Sequence, residues 1–319
     1  MGRTFSCAST YPESMTGQTL GLLGVPSSAG AHGPGQEKAP SALRAAGLVE
    51  ALRAGGLSVD DLGDLPLVRF RPDPTNPKQQ SVGRVREVAD RVAESVERAV
   101  AGGLLPVILG GDCTITLGVV AGLLRSTPAL ALLYFDGDAD LTTPETTHSG
   151  IFDGMGIAHL TGAGAAELTR MGQRYPLLPE DHIALFGFHP HELEPDDPPR
   201  LQRSAMLKYP VTSLERPPLD QAREAMRLLE ERADAVLVHF DVDVLDSAEV
   251  PLGDWPHYQA LALVDAMQAL KIFISSPKLA GLVITEINPD HDPDGSLVRR
   301  FVDGLSRALQ PLAPQPAAP

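Results

Sequence analysis

An apolar run of strand type, Leu130-Ala-Leu-Leu-Tyr-Phe135, leads straight into Asp136-Gly-Asp138-Ala-Asp140. Strand side chains alternate faces with a period of two, so the three aspartates are expected on one side at a strand's end. A second stretch repeats the device: Ala235-Val-Leu-Val-His-Phe240 is followed by Asp241, Asp243 and Asp246. If the two strands neighbour each other in one parallel sheet, five or six carboxylates converge on a small volume. Like charges that close cannot all stay ionised unless a cation holds them. Such a cluster suits hard, oxygen-preferring divalent metals such as Mg, Ca or Mn. Either stretch alone reads more readily as solvated caps and turns; the repetition reverses that and argues for metal ligation by Asp136, Asp140, Asp241 and Asp243.

The rest of the chain supplies the context for a parallel sheet. Thr19 to Val25 reads as a buried strand, followed by a Gly- and Pro-rich loop and a helix from about Pro40 carrying Leu43, Leu48 and Leu52. That loop lacks both the GxGxxG spacing and the P-loop Lys-Ser/Thr, which argues against a nucleotide cradle. Val85, Val88, Val92, Val96 and Ala99 mark one face of a helix that packs on the core. Leu104 to Leu109 is a strand ending in Gly110-Gly-Asp-Cys113, where two glycines allow a sharp turn. Further strands are expected at His182–Phe188 and Leu279–Glu286, with helices at Leu219–Arg232 and Ser296–Leu309. Strand and helix alternate, so the fold class is α/β, a parallel sheet covered on both faces. Ligands bind such sheets beyond the carboxyl ends of the strands, where Cys113, Asp136, Asp138, Asp140, Asp241, Asp243 and Glu286 all fall.

Composition narrows the partners. The 319 residues, 43% hydrophobic and without an evident internal repeat, suit one large domain over residues 18–309, with residues 1–17 as a mobile arm and the Pro-rich residues 310–319 as a disordered tail. A net charge of −15, from 26 basic and 41 acidic residues, argues against nucleic acid or an anionic membrane as partner. Two cysteines and no long N-terminal apolar segment point to the cytoplasm and away from a disulfide framework.

These motifs together resemble the ureohydrolase family, which includes arginases, agmatinases and formiminoglutamases, from about Thr19 to Leu309. The signatures are Gly110-Gly-Asp-Cys113, Asp136-Gly-Asp-Ala-Asp140, Ser149-Gly-Ile-Phe-Asp153-Gly, Asp241-Val-Asp243-Val-Leu-Asp246 and Glu286-Ile-Asn-Pro289. The resemblance implies a three-layer α/β/α fold, two Mn ions per chain bridged by a hydroxide, hydrolysis of a guanidino or amidine carbon, and a homo-oligomer, trimer or hexamer. It implies that Asp136 and Asp241 bridge both metals, that Asp140 completes one site and Asp243 the other, and that Glu286 pairs with the substrate's guanidinium.

The departures are as informative. Cys113 and Asp138 stand where the family usually has histidine ligands, Asp153 replaces the histidine usually given proton transfer, and Ile151 and His189 stand where arginases hold the substrate's carboxylate and amine. L-Arginine itself is therefore not the expected substrate. Cys113, the run Thr143-Pro-Glu-Thr-Thr147 and His239-Phe-Asp-Val-Asp-Val-Leu are similar to a branch of Nω-hydroxy-arginine hydrolases, which keeps the histidine that Asp138 replaces. Ser149 and His189 are candidate substrate contacts; Asp153 is either a proton shuttle or a loop cap; Cys113 is a thiolate ligand or a small buried hydrophobe. Asp138 is a ligand directly or through water, and Asp246 a turn former. Asp290-His-Asp292-Pro-Asp294-Gly295 imitates an EF-hand start but has Phe301 where the loop's closing Glu belongs. The expected activity is hydrolysis of a C–N bond of a linear guanidine or amidine with release of urea. The alternative is a metal-deficient homologue of the same fold acting as a binding or regulatory subunit; beside the two Mn ions expected, one or none are the other outcomes, and one would leave mononuclear chemistry open.

Overall fold

The computed structural model describes residues 17–314, so most of the expected N-terminal arm and the last five residues of the tail lie outside the described residues. In chain order the elements are β1 (Leu20–Gly24), α1 (Ala39–Ala45), α2 (Leu48–Ala54), β2 (Val59–Asp64), α3 (Val82–Ala101), β3 (Leu105–Leu109), α4 (Ile115–Leu123) and β4 (Leu130–Phe135). They continue with α5 (Gly156–Leu160), α6 (Ala166–Thr169), β5 (Ile183–Phe186), α7 (Asp197–Arg203), β6 (Leu207–Tyr209), α8 (Leu219–Arg232), β7 (Ala235–Asp241), α9 (Leu263–Ile274), β8 (Leu279–Thr285) and α10 (Ser296–Ala308). All eight strands join one sheet in the order β2-β1-β3-β8-β7-β4-β5-β6, every pair parallel.

The central strands are apolar throughout because both faces are covered. Along β4, Leu130, Leu132 and Tyr134 enter the core beneath α3 and α4, whereas Ala131, Leu133 and Phe135 enter the core beneath α8, α9 and α10. Every residue of β4, β7 and β8 is buried. The helix expected from Pro40 through Leu52 is instead two helices, because Gly47 takes a left-handed φ of 87° and turns the chain between them. β2 was not legible: its sequence, Val-Asp-Asp-Leu-Gly-Asp, is that of an edge strand, and Arg44 bridges Asp61 and Asp64 there. The tail does not begin disordered at 310. Gln310–Leu312 forms a 3-10 turn, Leu312 is buried, and its carbonyl accepts the Gly17 N–H at 2.9 Å. No helix among the described residues is long and apolar enough to cross a membrane.

Candidate metal centre

The two aspartate strands are neighbours. β4 pairs with β7 in a register that sets Phe135 beside Phe240, so Asp136 and Asp241 leave the sheet side by side. Alternation does not then carry the remaining aspartates, as expected from the strand period, because β4 ends at Phe135. The Asp138 N–H donates to Asp136 Oδ1 at 2.7 Å, and the Asp243 N–H donates to Asp241 Oδ1 at 2.9 Å. In each case the first aspartate bends its own backbone two residues on, a local turn for which Asp is suited. The Gly137 N–H donates to Asp243 Oδ1 at 2.9 Å and ties the two turns together. Asp140 completes its loop at a φ of +47° and accepts the Tyr134 hydroxyl.

From β3, the Gly110-Gly111 turn brings Cys113 over the same strand ends. A Cβ on Gly111 would lie 1.9 Å from the Ser27 carbonyl oxygen, so only glycine lets this turn pack against the loop after β1. That loop, read from sequence as a poor phosphate cradle, is held by Asp112, which accepts Ser27 Oγ and the Gly30 N–H, both at 3.2 Å. Cys113 is buried; its thiol donates to Asp241 Oδ2 at 2.6 Å and lies 3.6 Å from His239 Nε2. Glu286, just past β8, takes a φ of +64°. It accepts the Cys113 N–H at 3.1 Å and the Gln36 side-chain amide at 2.9 Å. Non-glycine residues in this backbone region cost about 1–3 kcal/mol and cluster at functional sites; here Asp140 and Glu286 both occupy it.

A cavity of about 480 Å³ opens above these residues, lined by Cys113, Asp153, Glu286 and the five aspartates Asp136, Asp138, Asp140, Asp241 and Asp243, with Ser149 and Ile151 also in its wall. No lysine or arginine lines it among the described residues, although His32 and His148 do, and the exposed Glu192 and Glu194 and the part-buried Asp254 add acidic groups to its wall. Held only by protein groups, the carboxyls cannot all be ionised. Burial first, then their neighbours' charges, push Asp136, Asp140, Asp243, Asp153 and Glu286 well above the usual carboxylate range, and Asp241 to about 6. Burial and the same carboxylates push the Cys113 thiol up as well. Such a set requires either shared protons or cations. Its oxygen-rich donors, with one sulfur and nearby imidazoles, fit divalent manganese.

Two donor groups stand out. Cys113, Asp136, His239 and Asp241 offer ligand atoms within 4.8 Å of one another, and Asp138, Asp243 and His257 do the same. Both histidines escaped the sequence reading as site residues. His239 carried a signal, since it precedes Asp241 by two on β7 and shares its face; its ring stacks on Tyr134 with centroids 4.1 Å apart. Burial lowers its pKa to about 3. His257 lies in a loop with no periodicity to reveal it. Burial opposes charge on its ring, but Asp138, Asp243 and Glu192 outweigh that and raise its pKa to about 10.

The other candidates divide. Asp153 lines the cavity and accepts the Cys113 N–H at 2.9 Å, joining Glu286 and Cys113 in a third cluster. Ser149 lines the outer part and accepts the Ile151 N–H at 3.2 Å. His189 does not line the cavity. It is buried behind Glu192, its ring stacked on His257 with centroids 4.7 Å apart. Asp246 caps a turn through the Ala248 N–H, and Asp292 and Asp294 accept N–H groups of α10, so the EF-hand-like run is a helix entrance.

A family model described as the arginase family matches residues 18–303. An arginase of Bacillus caldovelox is 27% identical over 273 residues, covering 85% of this chain and 91% of that protein. The native structure of the Bacillus caldovelox arginase superposes with a TM-score of 0.85 at 25% identity over 94% of this chain and all of the other. Formimidoylglutamase from Bacillus subtilis shares the fold at a TM-score of 0.74 and 17% identity, covering 98% of this chain and 96% of that one. With residues 18–303 matched by the family model and the fold shared over most of its length, the chain belongs to the arginase family.

Proposed function

We propose that this chain is a metal-dependent hydrolase that cleaves a C–N bond of a linear guanidine or amidine other than L-arginine, releasing urea or a related amide. The observation that carries the reading is the convergence of Asp136, Asp138, Asp140, Asp241 and Asp243 on one cavity with Glu286 in its wall and no lysine or arginine among the described lining residues. Asp136, Asp140, Asp241 and Asp243, with Cys113 and Asp138 at the edges, would hold two divalent cations, manganese in the first instance. When bound, such cations lower the pKa of water toward neutrality and polarise the reacting carbon.

The chain's own groups account for the rest. Glu286 faces the cavity with carboxylate oxygens suited to two N–H groups of a planar guanidinium. Asp153, kept protonated by burial and by the charge of Asp112, is placed to give its proton to the departing nitrogen. Water oxygen bonds to the amidine carbon as one water proton passes to a neighbouring carboxylate; the C–N bond then breaks with the Asp153 proton on the departing nitrogen, the second water proton follows to the amine as the urea C=O forms, and the first returns to Asp153. Ile151 offers no hydrogen bond at the outer wall, and His189 is withdrawn from it, so the contacts for an amino acid head group are missing. The acidic mouth favours a cationic tail.

Elemental analysis after equilibration with manganese should give about two metals per chain, lost when Asp136 and Asp241 are both replaced by alanine. A screen of cationic guanidines for urea release should then find turnover. Glu286→Gln should lower kcat/KM about a hundredfold or more with metal content unchanged. Absence of specific metal in a folded protein would sink the hydrolase and leave the binding subunit.

A further inference from the structure

The loop after β7 sends one imidazole into the cluster that the aspartate turns alone do not complete. His257 is fully buried, and its Nε2 has no hydrogen-bond partner among the described residues. That atom points between Asp138 Oδ2 at 3.4 Å and Asp243 Oδ2 at 3.8 Å. The separations are too long for good hydrogen bonds, yet all three atoms fall within the span that one ion can bridge. On the far side of the ring, Nδ1 lies 2.7 Å from Glu192 Oε2. A carboxylate that takes one ring N–H and leaves the other nitrogen as a free donor is the arrangement by which proteins orient metal-ligating histidines. His189 stacks flat on the ring and fixes its plane. The backbone makes room as well: a Cβ on Gly137 would lie 2.4 Å from His257 Cδ2, so the glycine between Asp136 and Asp138 is what admits the imidazole.

We infer that His257, oriented by Glu192 and admitted by Gly137, is the nitrogen ligand of the cation held by Asp138 and Asp243. This rests on the metal-dependent reading above. With its Nε2 lone pair on the cation, the imidazole adds a ligand without adding negative charge to the carboxylates, and it comes from the far end of the connection between β7 and α9 that also carries Asp243.

The test is manganese titration of the full chain by calorimetry and elemental analysis, with pulsed EPR of the bound Mn(II), on wild type, His257→Ala, His257→Gln, Glu192→Gln and Gly137→Ala. Wild type should bind two ions. His257→Ala and His257→Gln should retain one and bind the second at least tenfold more weakly, with loss of one imidazole nitrogen coupling. Glu192→Gln should weaken the second ion by about tenfold. Gly137→Ala, whose Cβ would meet the ring at 2.4 Å and the Asp243 carbonyl oxygen at 2.9 Å, should also weaken the second ion; Glu192→Gln, which leaves both ligands in place, decides the role of the ring if the His257 variants misfold. Two ions in wild type and unchanged stoichiometry, affinity and nitrogen coupling in the folded variants would overturn the ligand role and leave the hydrolase reading intact. One ion in wild type that persists in His257→Ala would show His257 acting as a fixed imidazolium in place of the second cation, which also overturns it. No ion in wild type overturns both.

Discussion

His159 shows how one buried side chain can be held in a single protonation state. Its Nδ1 lies 2.6 Å from the Met155 carbonyl oxygen, to which it donates, and its Nε2 accepts the Ala165 N–H at 3.1 Å. A second ring proton would face that N–H, and the ring is fully buried, so burial lowers the pKa to about 4 from 6.5. The unfolded chain therefore takes up a proton that the folded chain refuses. Stability from this residue is complete above pH 6.5 and is lost as pH falls toward 4, a total of about 3 kcal/mol. Denaturant titrations in chelator between pH 7 and 4 should show this slope, and His159→Asn should be less stable at pH 7 but flatter with pH. Equal slopes in the two proteins would refute the assignment.

At the scale of elements, α3 and α4 pack closely, and their contact depends on small residues. A Cβ on Gly118 would lie 2.4 Å from the Ala89 carbonyl oxygen, and one on Gly122 would lie 2.6 Å from that of Ala93. Backbone cannot withdraw as a flexible side chain can, so Gly118→Ala should cost about 1–3 kcal/mol by overpacking, despite alanine's better helix propensity. Gly83, in α3, has open space where a Cβ would go, and Gly83→Ala should be neutral or stabilise by about 0.5 kcal/mol. Thermal or urea unfolding of the pair distinguishes packing from propensity; destabilisation of both by the same amount would refute the packing argument.

For the whole molecule, the cavity concentrates charge that the fold tolerates only with compensation. Manganese should therefore raise the unfolding temperature, by an amount equivalent to about 2.7 kcal/mol at a free concentration one hundred times Kd. Chelator should reverse the rise, and the Asp136→Ala/Asp241→Ala protein should show none of it. The effect should shrink as pH is lowered, because protons compete with the cation for the same carboxylates. A rise of equal size in the double variant would place the binding elsewhere.

The apolar central strands, the amphipathic α3, α8 and α10, and the aspartates at strand ends were readable because each follows from local periodicity or from residue type at a chain position. Asp136, Asp140, Asp241, Asp243 and Glu286 were legible for that reason, and the register of β4 on β7 brings the first of each set together. Local pattern could not place β2, whose pairing with β1 overrides a polar sequence, or the break at Gly47. Nor could it move His189 off the cavity wall or bring His257 to Asp138. Those two rings meet because the loop after β7 folds back over the loop after β5, and contacts between residues so far apart in sequence leave no periodic trace. The sequence by itself determined the sheet and the acid cluster; the tertiary structure decided which imidazoles face it.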